Sequence, residues 1–413
     1  EYVTANKDIA PEVRLAYAKV LKNNENMVKR YSSPLIGRID MHMHTYYSDG
    51  MSTPSSVVYR AWRDGIKAIA IADHNTTEAW QEALEAGKIF GIKVYPAVEI
   101  GMDDLSFGDE GRDIHVLVYF PIPSDMDQFN AWYNSENLRG IRNKLEGLYA
   151  DQRTRVEDKL KEFNDRKYPR ADGKPGTLVL TEEDLSAYLT NLPSRFEYGK
   201  ALFEKYGPAI LDCENYRLAT RKYFGPLGKH GIPVMDILPD VCKAGGVAVF
   251  AHPGEAYYGK DTYKGIISKY AVLPDGTRGI QGVEVYSSKH TPEQVEAYNG
   301  FISAHNMLNK QHPLFAMIGS DNHDEAGTGI AMGYGSVRQD RNGNFPVGTA
   351  IYDKALNALN YRMPLGGGRG AFTVKDAVWA KWAVTTVSIV ASGVAVGVAS
   401  IFGIHDPAIN ILG

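Results

Sequence analysis

Asp40-Met41-His42-Met43-His44-Thr45-Tyr46-Tyr47-Ser48-Asp49-Gly50 is the stretch from which the rest of the chain can be read. It alternates. Ile39, Met41 and Met43 are apolar, whereas Asp40, His42 and His44 are polar. A strand has a side-chain period of two, so His42 and His44 point to one side together. Two imidazoles on one face can grip one metal ion. Asp49 follows at the turn, placed to reach the same region.

Outward from this stretch, strands alternate with helices. Apolar, β-rich runs occur at 35–44, 67–72, 92–100, 114–120, 246–251, 280–286 and 315–319. Thr53 can cap a helix, Pro54 suits its first turn and Gly65 its end. Residues 77–90 predict a second helix, with Ala79, Ala83, Leu84 and Phe90 facing inward; Thr291-Pro292-Glu293 opens another over 292–306. Such alternation predicts parallel strands with helices outside, and seven strands predict a barrel. A barrel carries its chemistry at the C-terminal ends of its strands. The candidate ligands lie there: His42 and His44, then His74, Glu99, His252, and Asp321 with His323. His115 is the exception, early in its run.

The other segments read differently. Residues 1–34 predict a helical extension that packs on the main domain through Val13, Ala16, Val20 and Leu21. The barrel occupies 35–120 and 246–361. Residues 121–245 break the alternation and predict a helical insertion, with Leu138, Ile141, Leu145 and Leu148 on one stripe. It is expected as a cap above the barrel mouth, against the plainer reading of connecting helices on the flank. Gly366-Gly367-Gly368 sits in a linker over 362–381. Residues 382–404 then hold no charged side chain in 23 positions. As a helix this segment spans about 35 Å, enough to cross a bilayer. Gly393 and Gly397 offer a close-packing face for an oligomer or a partner subunit. The expected localisation is therefore membrane-associated. The basic residues Arg362, Arg369, Lys375 and Lys381 place the barrel on the cytoplasmic side. A signal peptide removed ahead of Glu1 would place it on the other.

The composition fits an ordinary globular chain of 413 residues, 44% hydrophobic and 23% charged. With a net charge of −4, no global basic field draws it to duplex nucleic acid. Its two cysteines, Cys213 and Cys242, form no disulfide framework.

Each candidate ligand alone is weak, since a histidine in an apolar run is commonly a core residue. Together, His42, His44, Asp49, His74, Glu99, His115, His252, Asp321 and His323 would crowd one barrel mouth. Without cations the acidic members would suffer desolvation and repulsion. Nine side chains suit two or three divalent ions. Mixed nitrogen and carboxylate ligation fits zinc, manganese or iron.

The ordered motifs resemble the PHP (polymerase and histidinol phosphatase) superfamily of metal-dependent phosphoesterases. They are Asp40–Thr45 with Ser48-Asp49-Gly50, Ala72-Asp73-His74-Asn75, Val98-Glu99-Ile100, Ile114-His115-Val116-Leu117, Ala251-His252-Pro253-Gly254 and Gly319-Ser320-Asp321-Asn322-His323. The resemblance covers about residues 35–360 and implies a distorted seven-stranded (β/α)7 barrel. It implies that His42, His44, Glu99 and Asp321 hold one ion. Glu99 would bridge to a second ion held with His115 and His252. Asp49, His74 and His323 would hold a third. Glu255 departs from the family, which often has a basic residue there. Arg112, Arg142, Lys260 and Lys289 are the candidate replacements for a phosphate grip, Arg142 first because a planar guanidinium makes two bonds.

The expected function is hydrolysis of a phosphate mono- or diester, a nucleotide or a short oligonucleotide. Water bridging two cations becomes hydroxide near neutral pH. Glu99 is the expected catalytic bridge. Asp40 or His290 could relay a proton, although Asp40 also reads as an orienter of a ligand histidine and His290 as a surface-loop residue. Two alternatives stand beside this: a metal-containing scaffold subunit of a membrane-bound assembly, and hydrolysis of a non-phosphate bond.

Overall fold

The structure, a computed structural model, describes residues 2–28, 39–111, 113–186, 188, 190–192, 194–225, 231–254, 261–287, 289–323 and 349–363. Its strands are β1 (Ile39–Met43), β2 (Ala68–Ile71), β3 (Lys93–Asp103), β4 (Ile114–Tyr119), β5 (Ile232–Pro233), β6 (Val247–Phe250), β7 (Ile280–Ser287) and β8 (Phe315–Gly319). The helices in chain order are α1 (Tyr2–Ala5), α2 (Pro11–Asn23), α3 (Pro54–Arg63), α4 (Trp80–Phe90), α5 (Met126–Tyr133), α6 (Glu136–Arg166), α7 (Glu182–Leu185), α8 (Arg195–Leu211), α9 (Tyr216–Tyr223), α10 (Val234–Lys243), α11 (Thr262–Tyr270), α12 (Pro292–Leu308) and α13 (Thr349–Arg362).

Seven strands form one curled sheet in the order β1-β2-β3-β4-β6-β7-β8, with the short β5 paired to β3. The sheet is a mixed half-barrel, not the all-parallel barrel predicted from alternation. β4 runs antiparallel to both β3 and β6. Residues 104–113, which join β3 to β4, are too few for the crossover a parallel pair requires. A parallel bridge between Met43 and Asn322 ties the two edge strands at the end where the ligands gather.

Local signals explain the helices that frame the sheet. The Thr53 side chain accepts from Ser56 N at the start of α3, with Pro54 next to it. Gly91, at φ 74°, ends α4 in the left-handed conformation. Thr291 and Gln294 form a reciprocal capping box at the start of α12. Ala83, Leu84 and Phe90 of α4, with Ala79 just ahead of it, are buried as predicted and join the layer between sheet and helices. The other face of the sheet packs on itself. Met41, Ala70, Tyr95, Leu117, Val249 and Met317 fill the interior, closed by Ala355 and Leu359 of α13.

The insertion has two parts. Leu138, Ile141, Leu145 and Leu148 of α6 join the layer that covers the barrel flank. Farther along α6, Val156 and Phe163 build a separate core with Tyr198, Leu202, Tyr223 and Phe224 of the segment 194–224. α10 belongs to the flank layer through Val234, Ile237, Leu238 and Val241.

The N-terminal helix corrects the predicted face. Val13, Ala16 and Val20 are exposed, while Arg14, Leu15 and Ala18 are buried. A buried charge pair, not the apolar spacing, sets its rotation, because Arg14 meets Glu82 of α4. Among the described residues, no helix is long and apolar enough to cross a membrane. The predicted helix over 382–404, and the linker beyond Met363, lie outside the described residues.

Candidate metal centre

The site is built from strand ends and the loops that leave them. In β1 the register against β2 shifts between Asp40 and Met43. A bulge of this kind re-aims side chains. Ile39 and Met41 therefore pack in the interior, while His42 and His44 meet above them with their Nε2 atoms 3.1 Å apart. The following loop is held from within by Asp73. Its carboxylate accepts from Thr45 N at 2.6 Å, from Thr45 Oγ1 at 2.7 Å and from Ser48 Oγ at 2.7 Å. Gly50 closes the loop where a Cβ would lie 2.5 Å from the carbonyl carbon and oxygen of His44.

The antiparallel β4 explains His115. Its register sets Gly101 opposite His115, so the start of β4 lies at the same end as Glu99 of β3. His252 and Asp321 follow β6 and β8 at φ values of 24° and 54°, a region that non-glycine residues seldom adopt. Such strain is retained where the surrounding structure fixes a functional group.

All nine predicted ligands come together. His42, His44, Glu99 and Asp321 form one group whose donor atoms lie within 4.8 Å of one another. His44, Asp49, His74 and His323 form a second, and His74, Glu99 and His115 a third. Glu99 links two of them. One oxygen is 3.0 Å from His42 Nε2 and 3.2 Å from His44 Nε2; the other is 2.9 Å from both His115 Nδ1 and His252 Nε2. His74 stands between groups, 3.3 Å from Glu99 and 3.7 Å from Asp49.

The donors suit divalent cations. Two imidazole Nε2 atoms and two carboxylate oxygens converge from His42, His44, Glu99 and Asp321 in a fully enclosed pocket, the mixed nitrogen and oxygen set such ions take. His252 faces the cluster through Nε2, 2.9 Å from Glu99, and its Nδ1 is buried with no hydrogen-bond partner among the described residues.

Electrostatics within the cluster runs the same way. Burial disfavours the charged form of Glu99, yet His74, His42 and His115 hold its carboxyl well below the usual range. Asp49 is held down by His323 and His74 against its burial, and Asp321 by Lys289 and His42. Burial works against a charged His42 too, but Glu99, Glu284 and Asp321 raise it well above the usual imidazole value. For His323 burial is outweighed by Asp49 and Asp321, and it is pushed up to about 10. Burial prevails at His74, which falls to about 4.

Two supporting carboxylates escaped the sequence reading. Glu284 Oε1 lies 3.0 Å from His42 Nδ1, and its Oε2 accepts from His252 N at 2.8 Å, so one buried side chain orients two candidate ligands. Asp113 lies 3.3 Å from His115 Nε2 and does the same for that ring. The signal for Glu284 was present as a lone acid inside Val283-Glu284-Val285. Asp113, in a loop at φ 58°, gave none.

The other candidates have definite places. Asp40 is fully buried and accepts from Ser320 N at 2.9 Å, tying β1 to the end of β8. His290 is buried, not on the surface. Its Nδ1 donates to Val285 O at 2.8 Å and its Nε2 accepts from Gly254 N at 3.2 Å, which pins the turn after His252. Arg142 stacks 4.0 Å above the Tyr133 ring and donates to the Tyr133 carbonyl. The part of α6 tied to the metal loop is farther on, where Tyr149 donates to Tyr47 O at 3.0 Å. Lys289 Nζ pairs with Asp321 at the mouth. Arg112, Glu255 and Lys260 lie outside the described residues.

A family model of the PHP domain matches residues 40–227. The chain is 26% identical over 307 residues to the 3',5'-nucleoside bisphosphate phosphatase of Chromobacterium violaceum, covering 72% of this chain and 92% of that protein. It is 25% identical over 266 residues to the phosphoribosyl 1,2-cyclic phosphate 1,2-diphosphodiesterase of Eggerthella lenta, covering 61% and 84%. Its fold is similar to the solved structure of an amidohydrolase from Chromobacterium violaceum, with a TM-score of 0.57, 20% identity, and coverage of 80% of this chain and 98% of the other. The matched stretch contains His42, His44, Asp49, His74, Glu99 and His115, and the fold brings Asp321 and His323 into the same groups and His252 to 2.9 Å from Glu99. Residues 40–227 of this chain match the PHP domain.

Proposed function

We propose that the protein is a metal-dependent hydrolase of small phosphate esters. The observation that carries this reading is the convergence of three donor groups on one mouth, with Glu99 common to two of them. His42, His44, Glu99 and Asp321 would hold one ion, Glu99 with His115 and His252 a second, and Asp49, His74 and His323 a third. Divalent ions held there supply an acidified water and neutralise phosphate charge.

The chain's own groups do the rest. Glu284 and Asp113 hold the rings of His42 and His115 in orientation. His42, His44 and Glu99 are fully enclosed, whereas the side chains of His74, His115 and His323 are 13–18% exposed, so substrate approaches from that side. Lys289, 30% exposed beside Asp321, is the cation placed to meet a phosphate oxygen. It takes that role ahead of Arg142 because its pairing with Asp321 puts it at the cluster itself, whereas Arg142 stacks on Tyr133.

A nucleotide or another small phosphate ester is the favoured substrate, since both relatives are named for phosphate-ester chemistry. The test is a panel of nucleoside mono- and bisphosphates, cyclic phosphates, short oligonucleotides and amides, assayed with Mn2+, Zn2+ or Fe2+. Phosphate release on the nucleotide members is expected. Amide turnover alone, or none by a chain with full metal content, would reject the reading. We also propose that residues 382–404 tether the protein to a membrane or a partner subunit. Their uncharged length supports this. A chain ending at Gly368 should then leave the membrane fraction and keep its activity; identical fractionation of both forms would reject it.

A further inference from the structure

We propose that Arg14, from the N-terminal helix, is a positioning residue for the metal centre: it braces the back of the 44–50 loop and thereby sets how tightly the Asp49, His74 and His323 group holds its cation. The inference rests on the metal-dependent reading above.

The guanidinium is fully buried, although it belongs to a helix outside the barrel. Its Nε donates to Glu82 Oε1 at 2.8 Å and its Nη2 to Glu82 Oε2 at 2.5 Å, a two-pronged pair. Nη1 donates to the carbonyl of Ile9, with those of Asn6 and Lys7 at 3.5 Å. Nη2 also reaches Tyr46 Oη at 3.4 Å, and the guanidinium carbon lies 5.6 Å from the Tyr46 ring centroid. Glu82 Oε1 accepts in turn from Ser55 N, in the first turn of α3, at 3.1 Å. One ion pair therefore joins α2, α3, α4 and the metal loop.

Stability alone explains this poorly. A buried ion pair gains little over well-packed apolar side chains of the same size, and its best-attested use is to fix register. What it fixes here is the loop that carries His44 and Asp49. Tyr46 is the handle: its N donates to Ser52 O and its O accepts from Asn191 N, both at 2.9 Å. Asp73 grips Thr45 and Ser48 from the inside, and Arg14 holds Tyr46 from the outside. The group of Glu99, His115 and His252 has no member on this loop, so it serves as an internal control.

The test uses the full chain, stripped of metal and titrated with Mn2+ by calorimetry, with melting followed in parallel. Arg14→Met with Glu82→Met removes both charges and leaves neither stranded. The Mn2+ equivalent held with Asp49 should weaken about tenfold, the low end for residues that support a metal ligand, and the one held with His44 by less, while the equivalent of Glu99, His115 and His252 stays within about twofold. Arg14→Lys should not restore it, because an ammonium cannot make the fork to Glu82 and reach Tyr46 together. Should the double variant fail to fold, Tyr46→Phe removes the hydroxyl that meets Arg14 and Tyr47 while leaving the Arg14–Glu82 pair intact, and should weaken the same equivalent. Unchanged affinities, or an equal loss at every equivalent, would overturn the proposal. Absence of Mn2+ uptake by the unaltered chain would instead reject the metal-dependent reading itself.

Discussion

At the residue scale, Glu99 concentrates the chemistry because its two oxygens face different partners. Glu99→Gln keeps the size and removes the shared charge. We expect turnover to fall by about 100-fold or more, with metal content reduced and the melting profile still cooperative. Elemental analysis beside a rate measurement checks this; near-normal turnover with full metal would contradict the assignment. Glu284 tests a different link, since it touches His42 and the backbone of His252. Glu284→Gln should lower metal affinity by about 10- to 100-fold, and excess metal in the assay should recover much of the rate. A rate that metal cannot recover would mean that Glu284 acts on the substrate directly.

At the scale of elements, the loop after β1 depends on Gly50. A methyl there would meet the backbone of His44 and Thr45 at 2.5–2.8 Å, and backbone cannot swing aside as a flexible side chain can. Gly50→Ala should cost about 1–3 kcal/mol of stability and weaken metal binding. Denaturant unfolding together with metal titration would show both, and an unaltered midpoint would refute the close contact.

Elements also show what the sequence could reveal. The polar ends of the apolar runs located seven of the nine candidate ligands, because strand ends in such folds face one mouth, while Asp49 was read from the turn after the first run and His115 from the front of its own. The direction of β4 was not legible, since an apolar run reads alike in either direction; His115 at the front of its run was the one trace of the reversal. The bulge in β1 was also hidden, for a register shift shows only against the neighbouring strand. The burial of Arg14 and the pairing of Asn191 and Leu192 with Tyr46 and Ser48 arise from residues far apart in the chain, which periodicity cannot connect.

At the scale of the whole molecule, metal removal and pH should act together. In the stripped protein, the carboxyls of Asp49, Glu99 and Asp321 titrate below their unfolded values. Their contribution to stability is present above the ordinary carboxylate range, near pH 4, and is lost as the pH falls further. His323, raised to about 10, has the opposite sign: its contribution is complete below about pH 6.5 and is lost as the pH rises through about 10. His42 and His115 shift in the same direction as His323. The stripped protein should therefore lose stability from pH 7 to pH 9. The loaded protein should not, because cations take the place of those imidazole protons, and binding that releases protons strengthens as the pH rises. With metal at about 100 times its dissociation constant, loading adds about 2.7 kcal/mol. Melting temperatures with a chelator and with Mn2+ at pH 6, 7.5 and 9 should diverge steadily. A gap that stays constant or closes would show that no histidine proton is exchanged for metal.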